Sequence, residues 1–158
     1  MSRLEVPVKV LRLWSTGDWK LWTDVELWLK DCAGGFHRQR FRVDTGTQLT
    51  TFPAYDANQL GLPLPAAASP VTFSQTGLEV RSGVLGFRVD GMDATEYAAA
   101  CLFLGDPNTP PDPNQPAAFP RKLLQPFGLL DQRRFQVDKD PLNMGAPHKV
   151  FIVEKKAP

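Results

Sequence analysis

The chain has 158 residues, is 42% apolar and 22% charged, and carries a net charge of +1. That size suits one domain, 1–158, with a core of its own, and the balanced charge leaves no electrostatic footprint for nucleic acid or an acidic membrane. No apolar run reaches the roughly 18 residues of a membrane span, the opening Met1-Ser2-Arg3-Leu4-Glu5-Val6-Pro7 lacks the basic-then-apolar layout of a signal peptide, and the expected compartment is the cytoplasm.

Fifteen prolines and twelve glycines predict many short strands joined by turns, with one or two short helices at most. Residues 4–14 alternate weakly (Leu4, Val6, Val8, Val10, then Leu11 and Leu13) and predict a long strand, bent near Val10-Leu11. A turn is expected at Ser15-Thr16-Gly17-Asp18. Trp22–Lys30 predicts a second strand with Val25, Leu27 and Leu29 toward the core and Glu26, Trp28 and Lys30 outward. Trp28, flanked by charges on the outward face, is the tryptophan best placed on a covered surface; the others read as core or interface aromatics of a sheet. Ala33-Gly34-Gly35 turns the chain into a third strand. There Phe41 and Val43 point one way and Arg40 and Arg42 the other.

That strand delivers Asp44 into a Thr45-Gly46 turn. A carboxylate held by a sheet and approached closely by backbone at a glycine is well placed for acid–base work. On these few residues a simple turn between strands is the plainer reading, and the longer run reverses it. Phe41-Arg42-Val43-Asp44-Thr45-Gly46-Thr47-Gln48-Leu49-Thr50-Thr51-Phe52-Pro53 is followed by a helical stretch, Ala54–Leu60, whose apolar stripe is Ala54, Ala57 and Leu60. Pro53 suits the first helical position, Gly61 a C-cap, and Pro63 forbids resumption. Farther on, Val71-Thr72-Phe73-Ser74 and Leu78-Glu79-Val80-Arg81 bracket a hairpin tip at Gln75-Thr76-Gly77. Val84–Val89 predicts another strand, turned by Asp90-Gly91. Residues 97–104 have helical propensity but are expected as a buried strand, since evenly paced strands precede them and Gly105-Asp106-Pro107 follows. Pro107–Pro120 holds six prolines and predicts an extended loop. Leu123–Phe135 contains a second apolar segment running into Gly128-Leu129-Leu130-Asp131, and Phe135–Asp138 and Lys149–Val153 predict closing strands.

The block around Asp44 resembles the active-site segment of retropepsin-like aspartic proteases: an apolar strand, Asp-Thr-Gly, a small residue, a short apolar strand, a proline, and a short helix ending in Leu60-Gly61-Leu62. The order of the remaining elements is similar to that family over most of the chain. Gly128-Leu129-Leu130-Asp131 is similar to its second glycine-terminated segment. The resemblance implies an all-β, closed-barrel acid-protease fold and an aspartic endopeptidase that needs no cofactor. Asp44, Thr45 and Gly46 would form the catalytic loop, and Thr47, Ser74, Gln75, Thr76, Gly77 and Leu78 would line the cleft and flap.

The chemistry needs two carboxylates sharing one proton, and the chain has one Asp-Thr-Gly. The expected partner is therefore a second copy, with paired Asp44 side chains on a two-fold axis and an extended peptide as substrate. Two other readings stand beside it: a protease-fold domain that binds peptide or serves assembly with little turnover, and an unrelated β-rich protein with a turn of this composition. Cys32, Cys101, His37 and His148 show no metal-ligand spacing, and no phosphate-binding glycine loop occurs.

Overall fold

Strict alternation along residues 24–30 buries Val25, Leu27 and Leu29 and leaves Glu26, Trp28 and Lys30 outward, as a half-buried strand requires. The structure, a computed structural model, describes residues 3–12, 19–43, 49–66, 69–73, 78–91, 95–114, 121–124, 135–139 and 149–154; within it, 3–12, 19–23, 69–73, 135–139 and 149–154 are described by their backbone. It is mostly β. The strands are β1 (Arg3–Arg12), β2 (Trp19–Lys30), β3 (Phe36–Val43), β4 (Thr50–Pro53), β5 (Ser69–Phe73), β6 (Leu78–Val89), β7 (Tyr97–Leu104), β8 (Leu123–Leu124), β9 (Phe135–Lys139) and β10 (Lys149–Glu154). Among the described residues there is one helix, α1 (Ala54–Gln59). No helix among the described residues is long and apolar enough to cross a membrane.

The hydrogen-bonded order is β5-β6-β7-β4-β8-β3-β2-β1-β10-β9, and β6 also pairs with β2 through Leu27↔Val89 and Leu29↔Phe87. The pairings therefore run in a ring, from β2 through β3, β8, β4, β7 and β6 back to β2. β1 changes partner along its length. Residues 3–7 pair with β10 and residues 8–12 with β2, and the change falls at Pro7, which has no N–H to donate.

Inside the ring sits one apolar cluster, including Phe41, Phe52, Phe87, Phe103, Leu27, Leu29 and Leu85. Phe41 of β3 and Phe52 of β4 stack with ring centroids 5.6 Å apart. Residues 97–104 are the expected buried strand, with Tyr97, Ala99, Cys101 and Phe103 inward. Two expectations differ from what is found. Pro53 closes β4 and caps α1 with an extended ψ of 127°, so the helix begins at Ala54. β6 runs unbroken through Ser82-Gly83, where the sequence suggests two strands. A Cβ at Gly83 would lie 2.8 Å from the Phe103 ring, so glycine here admits the ring and lets the strand continue.

The helix ends as its residues predict. Gly61 adopts φ 70°, the Leu62 N–H donates to Ala57 O (2.9 Å), and the Gly61 N–H donates to Asn58 O (3.2 Å). This is the paired-bond termination that a left-handed glycine permits. The Cys32 N–H donates to Gly61 O at 2.9 Å and ties this end of α1 to the turn after β2.

That turn is built around Asp31. Its Oδ1 accepts from the N–H groups of Ala33 and Gly35, both at 2.8 Å, and its Oδ2 lies 2.7 Å from His37 Nε2. The His37 bond, then the Gly35 N–H, hold the Asp31 carboxyl below its ordinary value of 3.8. A depressed carboxyl contributes stability that is complete above its unfolded value and fades as pH falls through the folded one. The denaturation midpoint of the parent is therefore expected to exceed that of Asp31→Asn at neutral pH, with the gap narrowing by about pH 3. Urea titrations of both proteins at the two pH values check this, and a gap that does not change with pH overturns it.

Candidate active site

Asp44, Thr45, Gly46 and Thr47 lie outside the described residues, as do Ser74, Gln75, Thr76 and Gly77. The Gly128-Leu129-Leu130-Asp131 segment and the Ser15–Asp18 turn lie outside them too. The described strands define the frame on both sides of the Asp44 segment. β3 carries the chain up to Val43, and β4 takes it onward from Thr50. These two strands are not neighbours. β8 lies between them, parallel to β3 (Arg42↔Leu123, Val43↔Leu124) and antiparallel to β4 (Thr51↔Leu123). β3 therefore ends and β4 begins at the same end of the sheet, two strand spacings apart, about 10 Å, with Asp44 in the stretch of sequence between them. Val43 and Leu124 finish side by side, so the chain leaves for Asp44 and for Gln125 at the same end of the sheet.

The strands on either side are firmly anchored. All four residues of β4 are buried. Thr51 Oγ1 donates to Arg121 O at 2.8 Å, and the Arg42 N–H donates to Lys122 O at 2.9 Å. Phe41, Phe52 and Leu124 are buried in the core cluster, and Val43 packs against that cluster. Lys122 Nζ donates to Gln39 Oε1 (2.8 Å), approaches Asp56 Oδ2 (3.3 Å) and sits 5.5 Å from the centre of the Phe52 ring. No pattern in the sequence points to Lys122 or Arg121.

The expected hairpin is present. β5 and β6 pair antiparallel, with Phe73 opposite Leu78 and a register shift between Ser69 and Phe73. Leu78, half-buried, opens β6, which β7 separates from β4. The base of the hairpin carries a buried arginine, Arg81, whose Nη1 donates to Glu79 Oε2 (3.2 Å) and to Gly105 O (3.3 Å).

Outward from β3 the charges are matched. Arg40 Nε donates to Glu26 Oε1 at 2.9 Å, and Arg38 reaches Asp90 at 3.1 Å and Glu26 at 3.8 Å. Trp28, 36% exposed, donates from Nε1 to Asp90 Oδ1 at 3.0 Å. This tryptophan thus belongs to a surface network of solvent-screened pairs.

Neither cysteine has the setting of a nucleophile. Cys101 is 2% exposed, and burial raises its thiol pKa far above the usual value. Cys32 is exposed in the turn after β2. A thiol reagent at neutral pH is expected to label Cys32 in the native protein and Cys101 only after unfolding. Mass spectrometry of the labelled peptides reads this directly, and native labelling of Cys101 contradicts it. No family model, no curated protein and no solved structure matches this chain.

Proposed function

We propose that the chain is a cytoplasmic, homodimeric aspartic endopeptidase of the retropepsin-like kind, with Asp44 of each copy at a two-fold axis. The observation that carries the reading is the position of β8 between β3 and β4. Asp44 follows a strand tied to the core by the buried Phe41 and precedes a strand, β4, whose four residues are all buried. Such support pre-organises a side chain, as acid–base chemistry demands. The ring of pairings closed by β2–β6 suits the closed barrel of that family, and the β5–β6 hairpin suits a flap.

In this reading the two Asp44 carboxyl groups share one proton, because both cannot ionise a hydrogen bond apart. The ionised member takes a proton from water as its oxygen attacks the scissile carbonyl carbon, and the protonated member donates to the carbonyl oxygen. Collapse of the resulting diol then breaks the C–N bond as a proton passes to the leaving nitrogen. Thr45 fixes the geometry of the loop pair, and the Gly46 N–H favours the charged carboxylate. The hairpin residues Ser74–Leu78 fold over an extended peptide and exclude water. Thr47 lines the cleft.

The test is incubation with a mixed peptide library between about pH 4 and 7, the range in which a shared-proton dyad works, alongside sedimentation at the assay concentration. Cleavage by a dimer is expected. Binding of peptide without cleavage points instead to a peptide-binding or assembly role for the same fold. A chain that stays monomeric at every concentration removes the two-copy site.

A further inference from the structure

We infer that Lys122 sets the register of β8 between β3 and β4 and is thereby a positioning residue for Asp44. The catalytic consequence rests on the proteolytic reading; the register does not. β8 is two residues long, and both are leucine. A shift of one residue in a strand exchanges its faces. Here such a shift would still present a leucine to the core, so the apolar pattern does not select the register. Leu124 is nevertheless the buried one, at 6% exposure, while Leu123 is half-buried opposite Arg42 and Thr51.

Lys122 breaks the tie. Two positions before Leu124, it shares that residue's face. Its ammonium group reaches Gln39 on β3, the strand that leads into Asp44. It also reaches Asp56 on α1 and lies by the Phe52 ring of β4, the two elements that follow Asp44. One side chain therefore clasps the chain on both sides of the Asp44 segment. A one-residue slip turns Lys122 to the opposite face and breaks all three contacts together. It also displaces Lys122 O from the Arg42 N–H and Arg121 O from the Thr51 hydroxyl.

The test compares Lys122→Met, which keeps the apolar stem but loses the charge and donors, with Lys122→Arg, which keeps both. Amide hydrogen exchange is followed at Arg42, whose N–H donates to Lys122 O, and across the β6–β7 ladder as an internal reference. In Lys122→Met the Arg42 amide is expected to exchange roughly tenfold faster with the reference unchanged. Turnover of a cleaved peptide is expected to fall about tenfold in kcat at constant KM. Lys122→Arg restores both. An unchanged Arg42 amide, or equal acceleration across β6–β7, overturns the register assignment. A local exchange effect with unaltered kcat in a parent that cleaves peptide overturns the positioning role. If the parent cleaves nothing, the proteolytic reading falls while the exchange result still decides the register.

Discussion

Asp44→Asn is expected to abolish peptide cleavage, lowering kcat/KM by at least about 10⁴-fold, the scale of losing positioned acid–base groups. Asn is close to Asp in size but can neither accept the proton of the attacking water nor hold one to share with its twin. Each dimer would lose both members of the pair. The change leaves untouched the buried frame of Phe41, Phe52 and Leu124, so the melting temperature and sedimentation of the variant should match the parent. The measurement is kcat/KM on a peptide the parent cleaves, across acidic to neutral pH. Parental turnover by Asp44→Asn would assign the cleavage to other residues. On the proposed two-copy reading the paired Asp44 carboxyls would titrate as a coupled pair, so activity is expected to be highest at acidic to mildly acidic pH.

Phe41→Ala is expected to destabilise the protein by about 3–5 kcal/mol, the usual cost of removing a buried phenylalanine and leaving its cavity. Phe41 is 0% exposed and stacks on Phe52, itself 0% exposed, 5.6 Å away. The pair joins β3 to β4 beneath the intervening β8. Collapse of the cavity is opposed on both sides by strands locked into ladders. The loss therefore falls on the two strands that flank the Asp44 segment in the sequence as well as on global stability. Urea or thermal unfolding checks the magnitude, and a loss below about 1 kcal/mol would mean that the site repacks as easily as a surface position.

Local features were legible in the residues themselves. Alternation along 24–30 predicts which side of β2 is buried, and the same reasoning separates Phe41 from Arg40 and Arg42 on β3. The stop of α1 at Leu60-Gly61 follows from a glycine free to adopt a positive φ. The hairpin at Phe73 and Leu78 follows from turn-forming residues between two β-prone runs. The candidate site is read from a motif, Asp44-Thr45-Gly46, which lies outside the described residues, and from a hairpin whose strands pair as expected. Lys122 and Arg121 sit in no pattern, and their contacts to Gln39 and Thr51 lie 83 and 70 positions away in the chain.

Short-range periodicity thus establishes a mainly β protein, the inward face of its strands and the place of its single described helix. The insertion of β8 between β3 and β4, the closure of β6 onto β2 and the change of partner along β1 arise only when distant segments meet. The physical reason is that alternation specifies a face and says nothing of a neighbour. Leu123-Leu124 fits either register equally well, and contacts made across the whole fold choose between them.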